Sequence, residues 1–114
     1  MVPLIYKICP ENLWRAAETR GIFTGAPIDI ADGYIHFSTG EQSRETAEKH
    51  FAGQDGLLLI AVDDVCLGAA LDYEASRGEA LFPHLYATLD PKTVRWVQPL
   101  PMEADGGHIF PGDV

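Results

Sequence analysis

The 114-residue chain carries 17 acidic against 8 basic side chains, a formal charge of −9, so it is one domain by length and its surface repels a phosphate backbone; nucleic acid is not an expected partner. Its 46% hydrophobic, 22% charged and 10% aromatic content sits near globular averages and excludes disorder, coiled coil and collagen. The longest apolar run, Leu57 to Val62, is far short of the ~20 residues of a membrane span.

Leu4-Ile5-Tyr6-Lys7-Ile8 is a β-prone run that the sequence stops at Cys9-Pro10, because proline fixes φ and donates no backbone hydrogen bond. Pro10 suits a first helical turn, and Leu13, Trp14 and Ala17 recur at helical spacing until Gly21, which predicts a helix over about 10–20. Residues 21–33 hold Gly21, Gly25, Gly33 and Pro27 and read as an irregular crossing. Tyr34-Ile35-His36-Phe37-Ser38 then alternates as a strand, Ile35 and Phe37 toward the core and Tyr34, His36 and Ser38 on the other face. Ser38-Thr39-Gly40-Glu41 fits a capping box with Ser38 as the cap, opening a helix over roughly 40–51 with Ala47 and Phe51 one turn apart.

After Gly56, Leu57 to Asp63 is a continuous apolar run of central-strand length. Leu67 to Glu74 and Thr93 to Gln98 are further strand candidates, and Pro83 within Leu81-Phe82-Pro83-His84-Leu85-Tyr86 argues for an edge or a loop there. Both helices come early and strands outnumber them, which predicts a small α+β domain over residues 1–98 with a mostly antiparallel sheet. Residues 99–114, rich in Pro and Gly without periodicity, read as a loosely held tail. Met1-Val2-Pro3-Leu4 is no charged-then-apolar leader, so the expected compartment is the cytoplasm, with Cys9 and Cys66 as free, part-buried thiols.

Three places gather reactive side chains: His36 with Ser38, Glu74 with Arg77, and His84 with Tyr86. Each has a bland reading as well: a hydrogen-bonded structural histidine, a helix cap, an exposed ion pair, a core aromatic. Taken jointly, a helix start at Ser38 and Thr39 beside His36 offers unpaired backbone N–H groups to a small anion such as a phosphate. No short metal-ligand spacing, Gly-x-Ser-x-Gly elbow, Gly-x-Gly-x-x-Gly or phosphate loop is present, so resident metals, serine hydrolysis and standard dinucleotide or NTP folds are not expected.

Ile5-Tyr6-Lys7-Ile8, Tyr34 to Thr39 with Gln42, Leu57 to Asp63, Tyr73-Glu74-Ala75-Ser76 and Leu81 to Tyr86 resemble the small bacterial domain of unknown function numbered 952. Distantly, that family resembles the ADP-ribosyltransferase superfold with its RNA 2′-phosphotransferase branch, whose split antiparallel sheet binds NAD in a central cleft. The resemblance implies that His36 contacts a ribose, that Ser38 buttresses a nicotinamide pocket, that Glu74 bonds a ribose 2′-hydroxyl and that Tyr86 stacks on a base. A carboxylate so placed would stabilise the oxocarbenium-like centre formed when a nicotinamide–ribose bond breaks. Lys7 departs from the likeness, standing on the first strand where histidine or arginine is usual. The resulting expectation is a nucleotide- or NAD-related pocket built from His36, Ser38, Thr39, Glu74, Arg77, His84, Tyr86 and Lys7, as a binding site or an ADP-ribosyl- or phosphoribosyl-type transferase with NAD as substrate. The alternative is a non-catalytic module on the same fold for a small anionic metabolite or a protein partner.

Overall fold

The computed structural model describes residues 3–77 and 80–114, with the side chains of 76 and 77 outside that description. Strand β1 (Leu4–Pro10) runs two residues past Ile8 because Pro10 still pairs with Leu57 before it caps helix α1 (Glu11–Arg20). Glu11 in the first turn and Arg20 in the last suit the helix dipole, Trp14 and Ala17 face the core, and Gly21 ends the helix at φ 82°.

The crossing expected to be irregular contains a short helix, α2 (Pro27–Asp32). Pro27 opens it, the Asp29 carboxylate accepts the Ala26 N–H at 2.7 Å, and Gly33 closes it. Six residues are too few to reveal a helical period, and Ile28 and Ile30 point outward rather than marking a buried face.

The alternation from Tyr34 to Ser38 holds, with Ile35 and Phe37 buried, but the single strand expected there breaks at Phe37. Its halves, β2 (Ile35–His36) and β3 (Ser38–Thr39), join different sheets. Helix α3 (Gly40–His50) is capped one residue later than the sequence suggested: Thr39 Oγ1 accepts the Gln42 N–H at 3.3 Å and Gln42 Oε1 accepts the Thr39 N–H at 3.0 Å. Ser38 is still a strand residue paired with Tyr6, and its hydroxyl bonds Thr46 at 2.9 Å.

Strands β4 (Leu57–Asp63), β5 (Leu71–Arg77), β6 (Ala80–Leu85) and β7 (Trp96–Leu100) complete two sheets ordered β3-β1-β4-β7 and β2-β6-β5, every pairing antiparallel. The domain is therefore α+β with mostly antiparallel sheets, as expected. β4 is central as anticipated, and its side chains alternate between two cores. Leu58, Ile60 and Val62 join Trp14, Phe23 and Leu85, whereas Leu57, Leu59 and Ala61 join Tyr6, Ala47 and Leu100. A 3-10 segment (Asp64–Ala70) delays β5, and a second (Pro91–Thr93), capped by Asp90, delays β7.

β6 is the middle strand of its sheet, not an edge. Pro83 makes one bond to the neighbouring chain segment, its carbonyl accepting from Phe37 N at 3.0 Å; its nitrogen, on the same side, cannot return a bond, and β2 ends there at His36. Pro99 sits in β7, an outer strand, where a missing donor is harmless. The segment expected as a loose tail makes specific contacts: Met102 bridges His108, Gly53 N donates to Gly106 O at 2.9 Å, and Phe110 and Val114 pack on the second core. Cys9 is buried and Cys66 exposed, both free. Among the described residues no helix is long and apolar enough to cross a membrane.

Candidate functional site

Pairing of β2 with β6 sets His36 directly opposite His84, their ring centroids 5.7 Å apart. The Tyr34 ring lies against both, stacked on His84 at 4.0 Å and tilted to His36 at 4.6 Å. From the neighbouring strand β5, Glu74 Oε1 reaches His84 Nδ1 at 2.9 Å and accepts the Tyr86 hydroxyl at 2.6 Å. Four residues singled out from the sequence, His36, Glu74, His84 and Tyr86, thus meet in one place because their strands are neighbours in a three-stranded sheet.

The other side of the cluster is organised by Asp29, which the sequence did not reveal. It is 1% exposed, and its carboxylate accepts from Lys7 Nζ at 2.9 and 2.8 Å, from Ala26 N at 2.7 Å and from His36 N at 3.1 Å. His36 Nδ1 lies 2.6 Å from Asp29 Oδ1, and Nε2 lies 2.9 Å from Asp32 Oδ2. Both ring nitrogens therefore face carboxylate acceptors. Burial alone would raise the Asp29 carboxyl, but the His36 hydrogen bond, the Lys7 charge and the Ala26 N–H together pull it down to about 2. The only hint in the sequence was Pro27 followed two residues later by an aspartate at the third helical position, a site that carboxylates favour.

Glu74 is held below the usual carboxylate range, first by the Tyr86 hydroxyl and then by His84, and the same bond to Glu74 pushes Tyr86 up to about 12. The carboxylate is ionised and the phenol neutral at ordinary pH.

A cleft of about 590 Å³ opens beside this cluster. It exists because β3 pairs only with Ile5 and Tyr6, leaving Lys7 and Ile8 with no strand on that side. Its polar lining includes Lys7, His36, Ser38 and His84; Tyr34, Phe37 and Phe82 supply aromatic wall. Thr46 and His50 also line it, so the flank of α3 faces the cleft, and Thr39 with the rest of the helix start does not. His50, which looked ordinary in the sequence, is thereby a wall residue. Lys7 does not offer a loose ammonium, being 5% exposed and bound to Asp29. The Arg77 side chain lies outside the described residues.

One atom of the cluster is unsatisfied. His84 is 2% exposed, its Nδ1 is taken by Glu74, and its Nε2 is buried with no hydrogen-bond partner among the described residues, although the residue lines the cleft. A buried polar atom left unpaired costs about 1–3 kcal/mol, a cost that a ligand group reaching it would relieve. Among the described residues no group of three His, Cys, Asp or Glu side chains is arranged to hold a metal ion.

Residues 8–97 match the family described as "Protein of unknown function (DUF952)". No curated protein matches the chain. Among solved structures it is similar to protein CC0527 from Caulobacter crescentus, a structural genomics target. The X-ray crystal structure of that protein is 49% identical over 93% of each chain with a TM-score of 0.89. Its solution NMR structure is 50% identical over 91% of this chain and 90% of that one, with a TM-score of 0.83.

Proposed function

The chain belongs to the DUF952 family, and from that premise we propose that the cleft between its two sheets binds a nucleoside-bearing ligand of NAD type, with His36, Glu74 and His84 at its reactive end. The observation that carries the reading is the unpaired Nε2 of a buried histidine on the wall of a 590 Å³ cleft. Convergence of aromatic walls with a few polar groups is the usual make-up of a small-molecule site. The separation into a four-stranded and a three-stranded antiparallel sheet supports the ADP-ribosyltransferase-like expectation, in which NAD enters between the halves of a split sheet.

In this reading the ligand's aromatic ring packs against Tyr34 and Phe82, while its ribose hydroxyls approach His84, which Glu74 holds through Nδ1 from outside the cleft lining. An ionised Glu74, one hydrogen bond removed through His84, would add negative potential favouring positive charge developing at the anomeric carbon. Ser38, tied to Thr46, shapes the wall.

The test is calorimetric titration of the full chain with NAD, ADP-ribose and nicotinamide, repeated on His84→Ala and, as a distant control, His108→Ala. Saturable binding that His84→Ala weakens and His108→Ala leaves intact supports the reading; silence from all three ligands at millimolar concentration rejects it. A specific observation favours binding without turnover: the first-strand position holds Lys7, and its ammonium is bound to Asp29. Nicotinamide release on incubation with NAD would reject that second reading.

A further inference from the structure

Resting on the reading above, we propose that His84 meets its ligand as a hydrogen-bond acceptor, so that the cleft selects a neutral or cationic ligand presenting an O–H or N–H to Nε2 and rejects a phosphate at that point. Glu74 decides which His84 nitrogen carries a proton. An ionised carboxylate only accepts hydrogen bonds, and Glu74 Oε1 is 2.9 Å from His84 Nδ1, so Nδ1 must carry the proton of the neutral ring. The second nitrogen then presents a lone pair. Tyr86 donates to the same oxygen at 2.6 Å, which favours the ionised carboxylate and holds it toward the ring.

The basic groups of this cluster, His36 and Lys7, offer an anion nothing in exchange. His36 has both ring nitrogens directed at carboxylates, Asp29 at 2.6 Å and Asp32 at 2.9 Å, so its donors are already engaged. The Lys7 ammonium is bound to both Asp29 oxygens. The α3 start, where the sequence placed an anion pocket, is not part of the wall, and its Gln42 N–H is satisfied by Thr39. Lys7 is neutralised by the buried Asp29, Asp32 adds a carboxylate to the cleft wall and Glu74 another at His84, so the potential at this end of the cleft disfavours phosphate and favours a cation such as a pyridinium ring. Tyr34, stacked at 4.0 Å on His84, presents an aromatic surface suited to such a ring.

Two readouts on the full chain test this. The first is nitrogen-15 NMR of histidine-labelled protein at pH 8, where His84 is expected with a protonated Nδ1 and a bare Nε2. The second is titration with nicotinamide riboside and nicotinamide against inorganic phosphate and pyrophosphate; the first pair is expected to bind and shift Nε2, the second pair to leave it unmoved. Glu74→Gln removes the fixed acceptor at a side chain that is 40% exposed and is expected to weaken nicotinamide riboside about tenfold while mixing the two His84 tautomers. A protonated Nε2 at pH 8, or phosphate binding that shifts His84, overturns this inference even if NAD binds. A bare Nε2 with no binding by any probe overturns the NAD-type reading and this inference with it.

Discussion

His36 and His84 stand directly opposite each other on β2 and β6, and each is anchored away from the other. Asp29 and Asp32 hold the first ring, and Glu74 holds the second. The pair therefore does not satisfy itself, which leaves one imidazole nitrogen, Nε2 of His84, without a partner among the described residues.

Asp29 is the structural keystone of that arrangement. Asp29→Ala would leave the Lys7 ammonium, 5% exposed, buried without a counter-charge, at a cost of about 3–5 kcal/mol. Lys7→Met should cost less, because Asp29 keeps His36 and the Ala26 N–H as partners. Urea midpoints of the two variants check the ordering; equal losses would show that the ion pair alone accounts for Asp29.

Acid should expose the same residue. Its carboxyl is depressed from 3.8 to about 2 in the folded chain, so its contribution is fully present above about pH 4 and is lost as pH falls toward 2. Glu74, also depressed, acts in the same direction. Stability measured across this window should drop in the wild type and drop less in Asp29→Asn. An identical acid limb in both proteins would contradict the assignment.

Gly25 is fixed by its neighbour. It has φ +114°, and an added Cβ would lie 2.7 Å from Asp29 Cβ. Gly25→Ala should therefore destabilise the fold through both backbone strain and displacement of Asp29, whereas Gly33→Ala meets no atom within 4 Å and pays for φ +87° alone. Melting temperatures of the two variants compare the effects directly.

The cap of α3 can be placed by substitution. Thr39→Ala should cost about 1 kcal/mol through loss of the bond to Gln42 N. Ser38→Ala loses only a hydroxyl contact with Thr46 and should leave helix content unchanged by circular dichroism. Equal loss of helix in both variants would favour the earlier register.

Thiol chemistry gives an independent check on the core. Burial pushes the Cys9 thiol up to about 11, and Cys66 is exposed. A thiol reagent at pH 8 should modify Cys66 quickly and Cys9 only on unfolding. Rapid modification of both would contradict the packing around β1 and β4.

The legible parts of this fold were those written in short-range pattern. Leu57 to Asp63 announced a covered strand, Gly21 a helix end, and the alternation around His36 its two faces, because each depends on neighbours within one element. What stayed hidden depended on pairing across the chain. Nothing local says that Phe37 divides one strand between two sheets, or that Pro83 sits in a middle strand with its carbonyl bonded to Phe37. The overlapping frames Ser38/Glu41 and Thr39/Gln42 are equally good capping boxes until pairing of Ser38 with Tyr6 decides between them. Of the site, His36, Glu74, His84 and Tyr86 were readable as reactive types, whereas Asp29, Asp32 and Tyr34 gained their roles only from where the fold put them.

The most direct measurement is amide chemical-shift mapping during titration with NAD. Shifts are expected at Tyr34–Ser38 and Phe82–Tyr86, saturating with one ligand and diminished in Glu74→Gln. Shifts confined to the surface around Arg44 and His108, or none at millimolar NAD, would contradict NAD binding at His84.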